Sequence, residues 1–132
     1  MSVYLICISL LGLLVFALGF NVSMARAKSG AVFGGDVDPT SRLYKAQRAH
    51  GNTIEYVPML AILIFALGQV EQSSWVVWTM VAATFCRYLF AAGILLPASM
   101  AKPNPMRFVG ALGTYVTGFL LVVALIFQAF NR

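Results

Sequence analysis

Long apolar runs alternate with short polar breaks along the chain. The first run, VYLICISLLGLLVFALGF, has no charge, and the first charged residue is Arg26. As a helix it is long enough to cross a bilayer core of about 30 Å. Its positive charges follow it instead of preceding it, the reverse of a secretory leader, so it reads as an anchor. A polar stretch from Ser23 to about Arg48 contains GGDVDPTS. This predicts a connection and then a helix start, with Thr40 and Ser41 after Pro39 as suitable N-caps. The second run, YVPMLAILIFALGQV, covers only residues 56–70, about 22 Å of helix, and is too short to cross alone. Glu71, Gln72, Ser73 and Ser74 close it on one side. The helix must therefore take length from the residues before it, drawing Asn52 and Glu55 to the edge of the hydrocarbon or into it. The third run goes from Trp75 to about Pro97, with Trp75 and Trp78 placed for an interfacial belt and Arg87 near its middle. After the turn ASMAKPNP, a fourth run starts near Met106 and ends at Phe130. The pattern predicts an all-α fold, an integral-membrane four-helix bundle. It is read as a single domain over residues 1–132, with spans at about 3–24, 50–70, 75–97 and 106–130.

Composition supports that pattern. Apolar residues make up 61% of the chain and charged residues 10%, against about 25% charged in soluble domains. A water-soluble globule, a disordered chain and a nucleic-acid module are thereby set aside, despite a net charge of +5. The basic residues report topology instead. Arg26, Lys28, Arg42, Lys45 and Arg48 follow the first span, and Lys102 and Arg107 follow the third. The opposite side offers only Arg132. The positive-inside rule then puts the basic loops in the cytoplasm and both termini on the other side. Cys7 and Cys86 lie in apolar runs without metal-ligand spacing and read as buried thiols. No metal role is expected for His50, which has no second histidine or cysteine at ligand spacing. Gly34, Gly35 and Asp36 lack the Gly-Lys-Ser/Thr of a phosphate-cradling loop.

Intramembrane charges cost about 2.5–3.5 kcal/mol each on insertion scales and mark functional sites. Along the second span, Asn52 lies about 40° from Arg48 on a helical wheel, Glu55 about 20° to its other side, and Met59 close to it. Arg48, Asn52 and Glu55 therefore share one stripe, and His50 points away. Glu55 lies about 24 Å from the outer face and Arg87 about 18 Å from it, by helical rise. The difference is within reach of an arginine side chain, which predicts an ion pair or a shared ligand between Glu55 and Arg87. A buried pair that only fixes helix register is the alternative. Pro58 removes the helical bond to the carbonyl of Ile54 beside this stripe. In the fourth span Gly110, Thr114 and Gly118 form a small-xxx-small packing face. Arg107 precedes that face at the membrane boundary, where a basic residue ordinarily snorkels. Tyr44, Tyr56 and Tyr88 are by default interfacial aromatics.

The segment RAHGNTIEYVP, Arg48 to Pro58, resembles the motif that opens the second span in the MAPEG family, the membrane-associated proteins in eicosanoid and glutathione metabolism. The resemblance extends over the whole chain. It implies a homotrimer in the lipid bilayer that binds glutathione as co-substrate between neighbouring protomers and acts on a lipophilic small molecule. By the same resemblance Arg26, Arg48, Asn52, Glu55, Tyr56 and Arg87 are glutathione-binding residues, and Arg107 is the catalytic, thiol-activating arginine. The implied chemistry is coherent. Arginines clamp carboxylates, a glutamate pairs with the ammonium, and a cation beside sulfur raises the thiolate fraction. The implied function is a glutathione-dependent transferase or peroxidase; the alternative is a non-catalytic lipid- or glutathione-binding protein. The chain departs from the family's transferases at Phe90 and Ile94, where they carry His or Tyr and then Tyr, and at Ala27, often a second arginine.

Overall fold

The computed structural model describes residues 2–131. Four helices account for most of them: α1 (Val3–Ser29), α2 (Arg42–Leu67), α3 (Ser74–Leu95) and α4 (Pro105–Phe130). Each is long and apolar enough to cross a membrane.

Two boundaries differ from the pattern read along the chain. Helix α1 runs past residue 24 to Ser29, because Ala25, Arg26, Ala27 and Lys28 are good helix formers. It stops where Gly30 turns left-handed at φ 69°. Helix α2 begins at Arg42 rather than near residue 50. The segment RLYKAQRAHG carries its own apolar stripe of Leu43, Ala46 and Ala49, which continues into Thr53 and Val57 on the buried side. Ser41 is the N-cap, its hydroxyl accepting from the Tyr44 N–H at 3.4 Å. The short apolar run is thus lengthened from its N-terminal side, as expected, to 26 residues. The helix passes through Pro58 without a break. At the start of α4, Asn104 caps the Arg107 N–H at 3.1 Å, and Pro105 occupies the first turn, where its missing N–H costs nothing.

Helices α2 and α3 form the short diagonal of the bundle. Each touches all three other helices, whereas α1 and α4 do not meet. Lipid offers no hydrophobic drive for helices to associate, so close approach depends on small residues. The α3–α4 seam shows this. A methyl group added at Gly110 would lie 2.5 Å from the Phe90 backbone nitrogen, and one at Gly93 would overlap the backbone of Arg107. Gly118, the third member of the expected small-residue face, looks instead toward Leu60 of α2.

Three apolar clusters fill the bundle, the smallest of them Ala25, Leu43 and Ala46 between α1 and α2. Of the larger two, one, around Leu11, Leu60, Ile64, Met80 and Leu121, occupies the half nearest the α2–α3 turn. The other, around Leu14, Leu18, Ala49, Phe90 and Ile94, lies toward the opposite end. Both cysteines are free thiols, Cys7 buried and Cys86 half-buried. At the end bearing the two long connections, Lys45 Nζ donates to the Pro97 carbonyl at 2.9 Å and the Met100 N–H to the Pro39 carbonyl at 2.9 Å. At the other end Gln72 Nε2 donates to Gln128 Oε1 at 2.7 Å. Between these two stitched ends lies the bundle's one polar layer among the described residues.

Candidate functional site

The centre of that layer is Arg87, whose side chain is 1% exposed. Counting from Ser74, it lies about 20 Å along α3, far from either end of the span. Its Nη2 donates to Asn52 Oδ1 at 2.7 Å, a short charge-assisted bond, and to Thr53 Oγ1 at 3.4 Å. Its Nη1 reaches Thr114 Oγ1 at 3.4 Å. That threonine donates its own proton back to the Gly110 carbonyl at 2.7 Å, leaving its lone pairs for the arginine. The guanidinium carbon lies 4.9 Å from the Phe90 ring centre and 5.3 Å from that of Tyr56, within cation–π range. Its Nε is buried without a partner. No carboxylate neutralises this buried cation among the described residues. Its charge is held by amide and hydroxyl oxygens and by two aromatic faces.

Tyr56 extends the layer toward α4. Its hydroxyl is 2.8 Å from that of Tyr115, and the two rings meet edge to face at 5.7 Å. A small cavity of about 20 Å³ is walled by Asn52, Tyr56, Arg87, Phe90, Thr114 and Tyr115. Next to it, a groove of about 290 Å³ between α2 and α4 is bordered by Glu55, Tyr56, Met59, Tyr115 and Phe119. The groove is mostly apolar and opens outward from the bundle.

A buried cation on the third helix, an Asn-x-x-Glu-Tyr segment against it on the second, and four spanning helices form one constellation. A comparison with protein families matches residues 4–127 to the MAPEG family. The chain belongs to the MAPEG family. It is therefore a multi-pass integral membrane protein, with a role in the glutathione- and eicosanoid-related chemistry of that family in general terms. No curated protein matches the chain in direct sequence comparison.

Within this MAPEG protein, the expected site residues divide into three groups. Asn52, Tyr56 and Arg87 come together in the polar layer. Arg48 and Glu55 lie on the same face of α2 but are exposed at the surface of the chain. The direct ion pair expected between Glu55 and Arg87 is not formed. Arg87 reaches α2 at Asn52 and Thr53, nearly one turn before Glu55, and the Glu55 side chain points outward. Arg26 and Arg107 stand apart from the layer. Arg26, in the last turn of α1, borders a groove with Ser23, Gly30 and Val32, and its Nη1 is buried without a partner. Arg107 donates from Nη1 to the Met100 carbonyl at 3.2 Å and from Nη2 to the Lys102 carbonyl at 3.0 Å, fastening the α3–α4 connection. Arg107 is two helical turns, about 10 Å, before Thr114 on α4.

The departures from the family's transferases also have a structural counterpart. Phe90 supplies an aromatic face to Arg87, and Ile94 is in the apolar core. Tyr88 cannot take their place in the layer, since its hydroxyl donates to the Leu10 carbonyl of α1 at 2.7 Å. His50 packs against Gly19 of α1, off the polar stripe. Reading the sequence misses Thr53 and Tyr115 and gives Thr114 only as part of a packing face. A signal was present for Tyr115, because a phenol about 15 Å into a span needs a hydrogen-bond partner.

Proposed function

We propose that this protein binds glutathione along Arg48, Asn52 and Glu55 and activates its thiol toward lipophilic electrophiles delivered from the bilayer. The observation that carries the reading is the open edge of α2. There an acid and a cation are exposed on the outer surface of a membrane-spanning protomer, beside a buried guanidinium and an apolar groove. Bare charges in hydrocarbon are costly, so this edge needs a polar ligand and a covering surface. A homotrimer in which neighbouring copies close over the stripe supplies the cover, and a peptide with two carboxylates and an ammonium supplies the charge complement. Arg48 and Arg26 suit its carboxylates, and Glu55 its ammonium. The basic connections face the cytoplasm on this reading, by the positive-inside rule.

The chemistry follows from the groups. The thiol gives up its proton to solvent, the sulfur lone pair forms a carbon–sulfur bond, and the electrophile's leaving group departs with the displaced electrons. Arg107 holds the thiolate form by its charge once its guanidinium turns from the Met100 and Lys102 carbonyls. The groove between α2 and α4 accepts the electrophile's apolar part.

A non-catalytic binding protein is the second reading. It is favoured by Arg107, whose guanidinium is engaged with two carbonyls, and by Phe90 and Ile94 in place of hydrogen-bonding side chains. Calorimetry and ultraviolet detection of bound thiolate separate the two. On the first reading, wild type binds glutathione, gives a thiolate signal that Arg107→Ala abolishes, and turns over a reactive aryl halide. Binding without thiolate or turnover selects the second. Glu55→Gln and Arg48→Ala each weaken binding by more than about 1.5 kcal/mol, the low end for a charge-assisted bond, whereas His50→Ala leaves it unchanged. Full affinity in both stripe variants overturns the site itself.

A further inference from the structure

At the end of the bundle away from the basic connections, a cavity of about 580 Å³ opens between the α2–α3 turn and the last turns of α4. It has no part in the site described above. Its wall includes Glu71, Ser73, Trp75, Phe127 and Gln128. Among the described residues, Glu71 is the only charged one lining it. Trp75 and Phe127 are 46% and 59% exposed, so their ring faces are available to a ligand. The floor is fixed: Gln72 Nε2 bonds the Leu67 carbonyl at 2.6 Å and Gln128 Oε1 at 2.7 Å, and Gln128 Nε2 bonds the Ala66 carbonyl at 3.3 Å.

We infer that this cavity holds the headgroup of a zwitterionic phospholipid, with its ammonium between the Glu71 carboxylate and the Trp75 ring. Three observations converge on that occupant. The cavity lies where α2 ends, α3 begins and α4 nears its end, which is the depth of lipid headgroups. Glu71 and Trp75 line the same cavity, and a carboxylate together with an indole is the chemistry that recognises an alkylammonium ion. A headgroup without an ammonium leaves the Glu71 carboxylate without a counter-charge from the lipid. The lipid phosphate then falls beside the start of α3, whose first turn has no acidic residue and whose Ser73 makes no capping bond. The acyl chains run down the exposed apolar face of α4 past Phe127.

The test uses the full-length protein purified in detergent with equal amounts of phosphatidylcholine, phosphatidylethanolamine and phosphatidylglycerol, followed by mass spectrometry of the intact complexes. Wild type retains the two zwitterionic lipids over phosphatidylglycerol by about fivefold, and Glu71→Gln removes the preference. Trp75→Phe keeps most of it and Trp75→Ala loses it. In a Trp78→Phe background Trp75 is the only tryptophan, and phosphatidylcholine with a nitroxide on its choline quenches it more strongly with Glu71 than with Gln at that position. A wild type without preference, a preference surviving Glu71→Gln, or quenching indifferent to that change overturns the proposal. Displacement of the lipid by equimolar phosphocholine, which lacks acyl chains, overturns the assignment to lipid.

Discussion

Replacing Arg87 by methionine separates what holds the bundle together from what the polar layer is for. The favourable terms are few. The 2.7 Å bond to Asn52 is charge-assisted and contributes about 1.5–3 kcal/mol. The contacts to Thr53 and Thr114, both at 3.4 Å, are near the limit for a hydrogen bond and add little. Each aromatic face adds about 0.5–2 kcal/mol. Against them stands removal of a guanidinium from water, an effective penalty of several kcal/mol, with its Nε unpaired besides. The two sides nearly cancel. Methionine fills most of the same space without a charge, and its thioether suits the Phe90 and Tyr56 rings. Its main cost is the donor lost by Asn52, about 1 kcal/mol, softened because that residue is half-exposed. Arg87→Met is therefore expected within about 1 kcal/mol of wild type, while Arg87→Ala, which opens a cavity, loses about 3 kcal/mol or more. Thermal unfolding of the three proteins in one detergent measures this, with glutathione calorimetry on the same samples. The expected pattern is a stable Arg87→Met protein that no longer binds. If Arg87→Met is as unstable as Arg87→Ala, the hydrogen bonds of Arg87 are structural glue and the reasoning fails.

Two further predictions concern the frame of the site. Gly110→Ala places a methyl group 2.5 Å from the Phe90 nitrogen and 2.7 Å from its Cα, both backbone atoms that cannot swing aside. It is expected to cost about 2 kcal/mol or more, whereas Gly118→Ala, whose nearest neighbour is Leu60 at 3.9 Å, leaves stability unchanged or slightly raised; equal melting of the two variants refutes the seam. Asp36, in the α1–α2 connection, is held below its ordinary pKa by the Ser41 hydroxyl first and the Asp38 N–H second. Because the folded value is depressed, its contribution is present above the ordinary carboxylate value of about 4 and is lost as pH falls through the lower folded value. The Asp36 carboxyl should therefore titrate by nuclear magnetic resonance below the same residue in a short peptide, and a midpoint at or above the peptide's refutes the loop geometry.

The fold was legible because the spans are long apolar runs with few charges, and because the second apolar run is too short. That shortfall forces α2 to begin early, and the Leu43, Ala46 and Ala49 stripe shows how far back it goes. The helical wheel likewise placed Arg48, Asn52 and Glu55 on one edge, which the structure keeps. The partners of Arg87 were harder to read. Depth estimates from helical rise matched it to Glu55, yet the bundle brings it to Asn52 and Thr53, since a few ångströms of stagger between α2 and α3 decide the partner. That stagger is set by packing between the two helices, such as Leu60 and Ile64 of α2 with Met80 of α3 in one apolar cluster, which leaves no periodic trace in either sequence alone. Thr114 shows the same limit. Its spacing from Gly110 marks a packing face, and only the approach of α3 makes that small residue an acceptor for a buried cation. A neutral set of oxygens around Arg87, with the acid displaced to the open edge, is also what leaves Glu55 available to a ligand. A closed Glu55–Arg87 pair would satisfy both charges internally and, on the proposed reading, leave the stripe without an acid for the ammonium of a zwitterionic peptide.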